Sequence, residues 1–210
     1  MNLEHYLVFF QREDKDMIQI SLPDDYTKVI AVDGGLNDAL SLGLNVDVFV
    51  GDCDSVNVPL ESSENVQIYP CEKDFLDGEG ALEFLKFQNF EKLTFFSFFQ
   101  GRWDMTFTHL LSLVHYLEFA NKLEIRCSQS SIFYFNKSFQ IAGKRDQKFS
   151  IIPLANVKNL SIIGAKYSLK SEDIESGRGT CLSNIFDSNL LRVDFSDECP
   201  ILIEVYKVRE

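Results

Sequence analysis

The chain has 210 residues, 45% of them hydrophobic, enough to bury a sizeable core in one large or two small domains. Its formal charge of −12 argues against a nucleic-acid binder, which needs a basic face, and against docking on an anionic membrane. The same acidity suits chemistry in which a metal ion supplies the positive charge beside phosphate.

The opening "MNLEHYLVFFQRED" has a short apolar run and no basic leader, and no run in the chain approaches a membrane span. Five scattered cysteines without a CxxC pair read as reduced thiols, so a cytoplasmic location is expected. "YLVFF" (6–10) predicts a strand, and "KVIAVDGG" (28–35) a strand ending in a turn. A short helix over 36–43 stops at Gly43, and "VDVFVGD" is the next strand. "VQIYP" (66–70) leads into a helix from Asp74 to Phe87. "KLTFFSFF" (92–99) is a strand, and 104–121 a helix. Strands alternating with helices imply parallel βαβ units. The expected fold class is therefore an α/β N-terminal domain with a mainly parallel sheet, over residues 1–123.

From residue 124 onward the texture changes. "EIRCSQ", "SIFYFN", "SFQIAG", "FSIIPL", "LSIIGAKY", "TCLSNIF", "LLRVDF" and "ILIEVYK" are short strands separated by turn residues. They predict an antiparallel all-β sandwich domain over 124–210.

Ligands of open parallel sheets bind beyond the carboxyl ends of the strands, and polar clusters fall there. "AVDGGLN" places Asp33, Gly34, Gly35 and Asn37 after one strand, with glycines that open backbone N–H groups toward a ligand. "GDCDS" places Asp52, Asp54 and Ser55 after the next. In an extended segment residues i and i+2 point the same way, so Asp52 and Asp54 converge on one spot. Nothing nearby in sequence neutralises them, whereas a hard cation with oxygen ligands would, and Mg²⁺ beside phosphate is the expectation. "CEKDFLDGEGAL" brings Lys73, Asp74, Asp77 and Glu79 to a helix start. In "FFQGRWDMTFTHLL", Arg102 offers a planar fork for phosphate oxygens, and Asp104 caps the helix or reaches the ligand.

Each cluster also has a plain structural reading. Asp74 and Asp77 can simply cap a helix and complement its dipole, and Asp33 can simply form a turn. Trp103, the single tryptophan, reads as a packing residue rather than a stacking platform. His109 and His115 are six apart, which is not a zinc-helix spacing. No GxxxxGK[ST] loop, GxGxxG fingerprint or GxSxG elbow occurs.

The four clusters in this order resemble the thiamin pyrophosphokinase (thiamin diphosphokinase) family. Its DGG-A-N turn is matched by Asp33-Gly34-Gly35-Leu36-Asn37, and its PD-x-x-x-GD-x-DS segment by "VDVFVGDCDS". Its K-D-x-T-D-x-E-x-A-L is matched by "KDFLDGEGAL", and its GGR-x-DH-x-x-x-N by "QGRWDMTFTH". "GAKY" (164–167) and "GTCLSN" (179–184) stand where the family's second domain carries a G-x-K-Y segment and a late Ser-Asn pair. The departures are Leu76 for Thr, Gln100 for Gly, Met105 for His and His109 for Asn.

The resemblance implies transfer of pyrophosphate from ATP to the primary hydroxyl of thiamin, giving thiamin diphosphate and AMP. It implies Mg²⁺ on Asp52, Asp54 and Asp74, with Arg102 and Lys73 facing the phosphates. Asp77 or Asp33 would accept the hydroxyl proton, and the sequence does not choose between them. The partners it implies are ATP, thiamin and a second copy of the chain, in a homodimer whose site lies between subunits. Thr180, Ser183 and Asn184 then become thiamin contacts, against a plain reading as a sandwich turn. The rivals are a metal-dependent nucleotide phosphohydrolase and a non-catalytic thiamin- or nucleotide-binding relative.

Overall fold

The computed structural model describes residues 4–11, 21–52, 65–68, 74–99 and 102–208, and of 65–68 the backbone alone. The chain forms two compact units, Met1–Glu118 with Lys122–Ser128, and Phe119–Asn121 with Gln129–Glu210.

The first unit is a parallel sheet with helices packed on it. Its strands are β1 (His5–Phe9), β2 (Lys28–Val32), β3 (Val48–Gly51), β4 (Asn65–Ile68), β5 (Lys92–Phe96) and β6 (Leu123–Arg126). They lie in the order β6-β5-β1-β2-β3-β4, and every neighbouring pair is parallel. β1 and β3 are buried along their whole lengths, as strands covered on both faces must be. β6 departs from expectation. Its sequence reads with the antiparallel strands that follow, yet it pairs parallel with β5, because a buried Leu-x-Ile run suits either kind of ladder.

Helix α1 (Gly35–Ser41) follows β2, α2 (Asp77–Lys86) follows β4, and α3 (Trp103–Ser112) follows β5. The expected third helix is shorter than its pattern suggests, giving way to 3-10 turns at Leu113–His115 and Leu117–Phe119. α1 begins hard against β1: a Cβ on Gly35 would fall 2.0 Å from the Phe9 carbonyl oxygen. Gly35→Ala is therefore expected to lower unfolding free energy by at least about 2 kcal/mol, read as a shift in the denaturant midpoint. An unchanged midpoint would mean that α1 does not approach β1 this closely.

Helices α2 and α3 meet through Gly78 and His109. A Cβ on Gly78 would fall 2.2 Å from His109 Nε2, so only glycine admits the imidazole there. The His109 ring stacks on Phe98, and its Nδ1–H donates to the Phe98 carbonyl at 3.3 Å. Burial lowers the pKa of His109. It also lowers that of His5, whose ring lies between Thr94 and Asp25, with Asp25 opposing the shift. Both rings bind protons more readily in the unfolded chain, where histidine titrates near 6.5. Their contribution to stability is thus complete above about pH 6.5 and is lost as pH falls through the lowered folded values. Melting temperature is expected to fall from pH 6.5 to 5, and less steeply in His109→Asn. Equal slopes would remove His109 from the linkage.

The second unit is a sandwich of two antiparallel sheets. Its strands are β7 (Ser130–Phe135), β8 (Phe139–Ala142), β9 (Lys148–Pro153), β10 (Val157–Ile163), β11 (Leu169–Ile174), β12 (Asn184–Ile185), β13 (Leu190–Ser196) and β14 (Ile201–Tyr206). One sheet runs β12-β9-β14-β7 and the other β11-β10-β13-β8. Side chains such as Phe149, Leu160, Ile162, Phe186, Val193 and Ile203 fill the space between them. The apolar segments "LSII" and "ILIEVY" mostly face this core, and of the former only Ile163 is an exposed hydrophobe.

Exposed apolar side chains also line α3. Trp103, expected to pack, is 82% exposed, and Phe107 and Leu111 share its helix face at successive i+4 positions, both exposed. Among the described residues no helix is long and apolar enough to cross a membrane.

Candidate active site

The first polar cluster forms where β2 runs into α1. Asp33 takes φ +46°, a left-handed backbone that a non-glycine residue adopts only at a cost. It is held there from two sides. Its N–H donates to the Val50 carbonyl at 2.9 Å, and its own carbonyl accepts from Leu36 N–H at 3.1 Å. Asp33 is only 9% exposed, so its carboxylate is a largely desolvated charge at the sheet's edge. Gly34 and Gly35 follow, and the Asn37 N–H closes the first turn on the Gly34 carbonyl.

β3 is the parallel neighbour of β2, so both end on the same edge. A Cβ on Gly51 would sit 3.0 Å from Asp33 Cα, and this close approach carries the chain into half-buried Asp52 beside the Asp33 turn. Asp33 and Asp52 thus share one edge. Asp54, Ser55 and Lys73 lie outside the described residues.

α2 packs against β2 and β3. Asp77 is its first residue and is half-buried, whereas Asp74 is exposed ahead of the helix. Leu76 stands at the N-cap, where its side chain offers no acceptor. Only the return half of a capping box survives, the Leu76 N–H donating to Glu79 Oε2 at 2.8 Å.

Arg102 and Asp104 stand at the start of α3 and grip each other. Arg102 Nε donates to Oδ1 at 3.2 Å and Nη2 to Oδ2 at 2.5 Å. This fork is the largest cause holding the Asp104 carboxyl below its ordinary pKa. Both side chains are well exposed, so the pair adds little stability, but it fixes the plane of the guanidinium.

Carboxylate oxygens without thiol or imidazole partners suit a hard divalent cation such as Mg²⁺. Among the described residues no three His, Cys, Asp or Glu gather as a metal site, and Asp54, the second acid of the GDCDS pair, lies outside them.

Thr180, Ser183 and Asn184 belong to the second unit. Thr180 is exposed within a 3-10 turn, and Ser183 is exposed at φ +55°, its N–H bonded to Ser150 Oγ. Asn184 differs. It is 3% exposed, its Oδ1 accepts the Tyr167 N–H at 3.1 Å, and its Nδ2 donates to the Tyr167 carbonyl at 2.8 Å. The Asn184 amide therefore ties the late Ser-Asn pair to the "GAKY" turn and is engaged by backbone rather than aimed at solvent.

Two residues at the first unit's edge escaped the sequence reading. Gln11, just past β1, packs its side chain where a Cβ on Gly34 would fall, 2.6 Å from Gln11 Cδ. Ser97, just past β5, takes φ +56°. A lone Gln or Ser after an apolar run carries no signal until the topology puts it beside the Asp33 turn or shows its backbone.

Two family descriptions match the chain in order. "Thiamin pyrophosphokinase, catalytic domain" matches residues 21–127, and "Thiamin pyrophosphokinase, vitamin B1 binding domain" matches 136–202. A search of curated proteins gives no match. Among solved structures, a thiamin pyrophosphokinase family protein from Enterococcus faecalis is 24% identical with a TM-score of 0.83, over 98% of this chain and 100% of that one. Thiamine pyrophosphokinase from Bacillus subtilis is 22% identical with a TM-score of 0.80, over 98% and 100%. Thiamin pyrophosphokinase from Candida albicans is 17% identical with a TM-score of 0.73, over 97% and 89%. At these identities the likeness establishes the fold, and the ordered family matches carry more.

Proposed function

The chain belongs to the thiamin pyrophosphokinase family, and from that premise we propose how its residues serve the reaction. The activity is thiamine diphosphokinase: pyrophosphate passes from ATP to thiamin, giving thiamin diphosphate and AMP. The observation that carries it is the match of a catalytic and a vitamin B1 binding description, in order, along one chain.

In the proposed mechanism the thiamin hydroxyl oxygen bonds to the β-phosphorus as the bond from that phosphorus to the AMP oxygen breaks. The hydroxyl proton would go to Asp77, at the start of α2, or to Asp33, where β2 ends. Asp52, Asp54 and Asp74 would hold Mg²⁺, which when bound neutralises phosphate oxygens. Arg102, with its plane set by Asp104, and Lys73 would face those oxygens. Gly34, Gly35 and Asn37 would present the start of α1 to the nucleotide. Residues 1–123 would supply the ATP and Mg²⁺ side, and 124–210 the thiamin side, with Thr180 and Ser183 as contacts and Asn184 positioning Tyr167.

A homodimer is supported by the exposed Trp103, Phe107 and Leu111 face of α3, an apolar surface that a second copy would cover. A cytoplasmic location is supported by the buried free thiols of Cys181 and Cys199.

The test is to withhold one component at a time. AMP is expected only when ATP, Mg²⁺ and thiamin are all present. Phosphate release from nucleotide without thiamin would instead identify a hydrolase.

A further inference from the structure

The second unit contains a cleft of about 760 Å³ whose wall is unusually basic for this chain. Four of the 20 Lys and Arg residues line it, Lys144, Arg145, Lys148 and Lys207, against one acid, Asp146, while the whole chain carries −12. Among the described residues Lys144 and Lys148 have no carboxylate partner, and Arg145 meets Asp187 only at 3.6 Å in solvent. Cations crowded on one wall repel one another, and an anion seated among them relieves that repulsion.

The wall is also held in place. The Gln147 side chain accepts the Lys144 N–H at 2.8 Å and donates to the Tyr206 carbonyl at 2.7 Å, fixing the β8–β9 turn to the end of β14. Backbone bonds from Asp146 N–H to Phe186 and from Phe186 N–H to Gln147 pin its other side. The turn is thus organised before any ligand arrives, which lowers the ordering cost of binding. The volume suits a small organic phosphate, and Ser183 stands on the same wall.

We infer that this cleft is an anion site for a diphosphate group, gripped by Lys144 and Lys148. Two sources offer that group, thiamin diphosphate and a nucleoside diphosphate or triphosphate. Ser183 on the wall favours thiamin diphosphate, and this choice alone rests on the function proposed above. A diphosphate held here would make the cleft a product-binding site.

Titration calorimetry on the full chain with EDTA present keeps metal-bridged binding out of the measurement. Inorganic diphosphate is expected to bind the wild-type protein, to weaken with salt, and to bind about tenfold more weakly to the double variant Lys144→Gln with Lys148→Gln. The control Lys170→Gln, an exposed lysine on β11, should bind as wild type does. Tighter binding of thiamin diphosphate than of ADP, with the same loss in the double variant, supports the product. The reverse order supports the nucleotide as the source of the diphosphate and overturns the product assignment. No binding to wild type, or a dissociation constant in the double variant within twofold of wild type, overturns the site. None of these readings depends on turnover, so an inactive enzyme would leave them intact.

Discussion

Asp54→Asn is expected to reduce thiamin diphosphate formation at least about a hundredfold while the melting curve without ligand stays unchanged. The change removes one formal charge from a pair of acids on adjoining alternate positions, Asp52 and Asp54, and leaves the size of the side chain almost the same. Changes to groups that only hydrogen-bond a metal's ligands already cost about 10–100-fold, so loss of a direct ligand should cost no less. The free protein should tolerate the change well, because two acids close together repel until a cation arrives. Mg²⁺ with nucleotide should likewise raise the melting temperature of wild type, by about 2.7 kcal/mol of added stability at a hundred times the dissociation constant. Asp54→Asn should lose most of that gain. A folded variant with a near wild-type rate at low Mg²⁺ would remove Asp54 from the metal site.

Arg102→Lys is expected to lower kcat roughly tenfold or more. Lysine keeps the charge and loses the planar fork, and one such contact in a transition state is worth on the order of 1.4 kcal/mol or above. The grip of Asp104 on Arg102 sharpens the prediction. A lysine cannot be held by both carboxylate oxygens in one plane, so the variant loses orientation as well as contact. Stability should barely move, because both side chains are largely exposed. Asp104→Asn, which keeps one acceptor, should give a smaller loss of kcat in the same direction. A change confined to the KM for thiamin would assign Arg102 to the other substrate.

Much of the fold is legible in the sequence where burial is two-sided. β1 and β3 are wholly buried, so their apolar runs announce a parallel sheet, and Asp33 and Asp52 follow β2 and β3 at one end of it. β11 was missed because it is an edge strand with mostly exposed side chains, and "LKSEDI" shows neither alternation nor an apolar run. β6 is parallel where its sequence suggests antiparallel, because four residues of buried strand carry no record of strand direction.

The acids and glycines of the candidate site stand out in the sequence, and its backbone does not. Asp33-Gly34-Gly35 signals a turn, and Leu36 closes it locally, but the left-handed Asp33 is also held by the Val50 hydrogen bond, which only the assembled sheet supplies. Asn184 shows the opposite limit. A late Ser-Asn pair suggests ligand contacts, yet the amide is buried against Tyr167 because the "GAKY" turn needs its backbone groups satisfied. Two of the departures also have a physical reading. His109 occupies the room that Gly78 leaves, and Leu76 costs the helix one side-chain cap while Glu79 keeps the other half. Nothing in the structure explains Met105.

The central claim is that this chain moves pyrophosphate as a unit from ATP to thiamin. The most direct measurement uses ATP labelled at the β-phosphorus, with Mg²⁺ and thiamin, and follows both products over time. The account predicts that AMP and thiamin diphosphate appear in equal amounts, with the label in thiamin diphosphate and none in AMP. Label recovered in ADP, or in inorganic diphosphate released alongside AMP at a rate indifferent to thiamin, would contradict it.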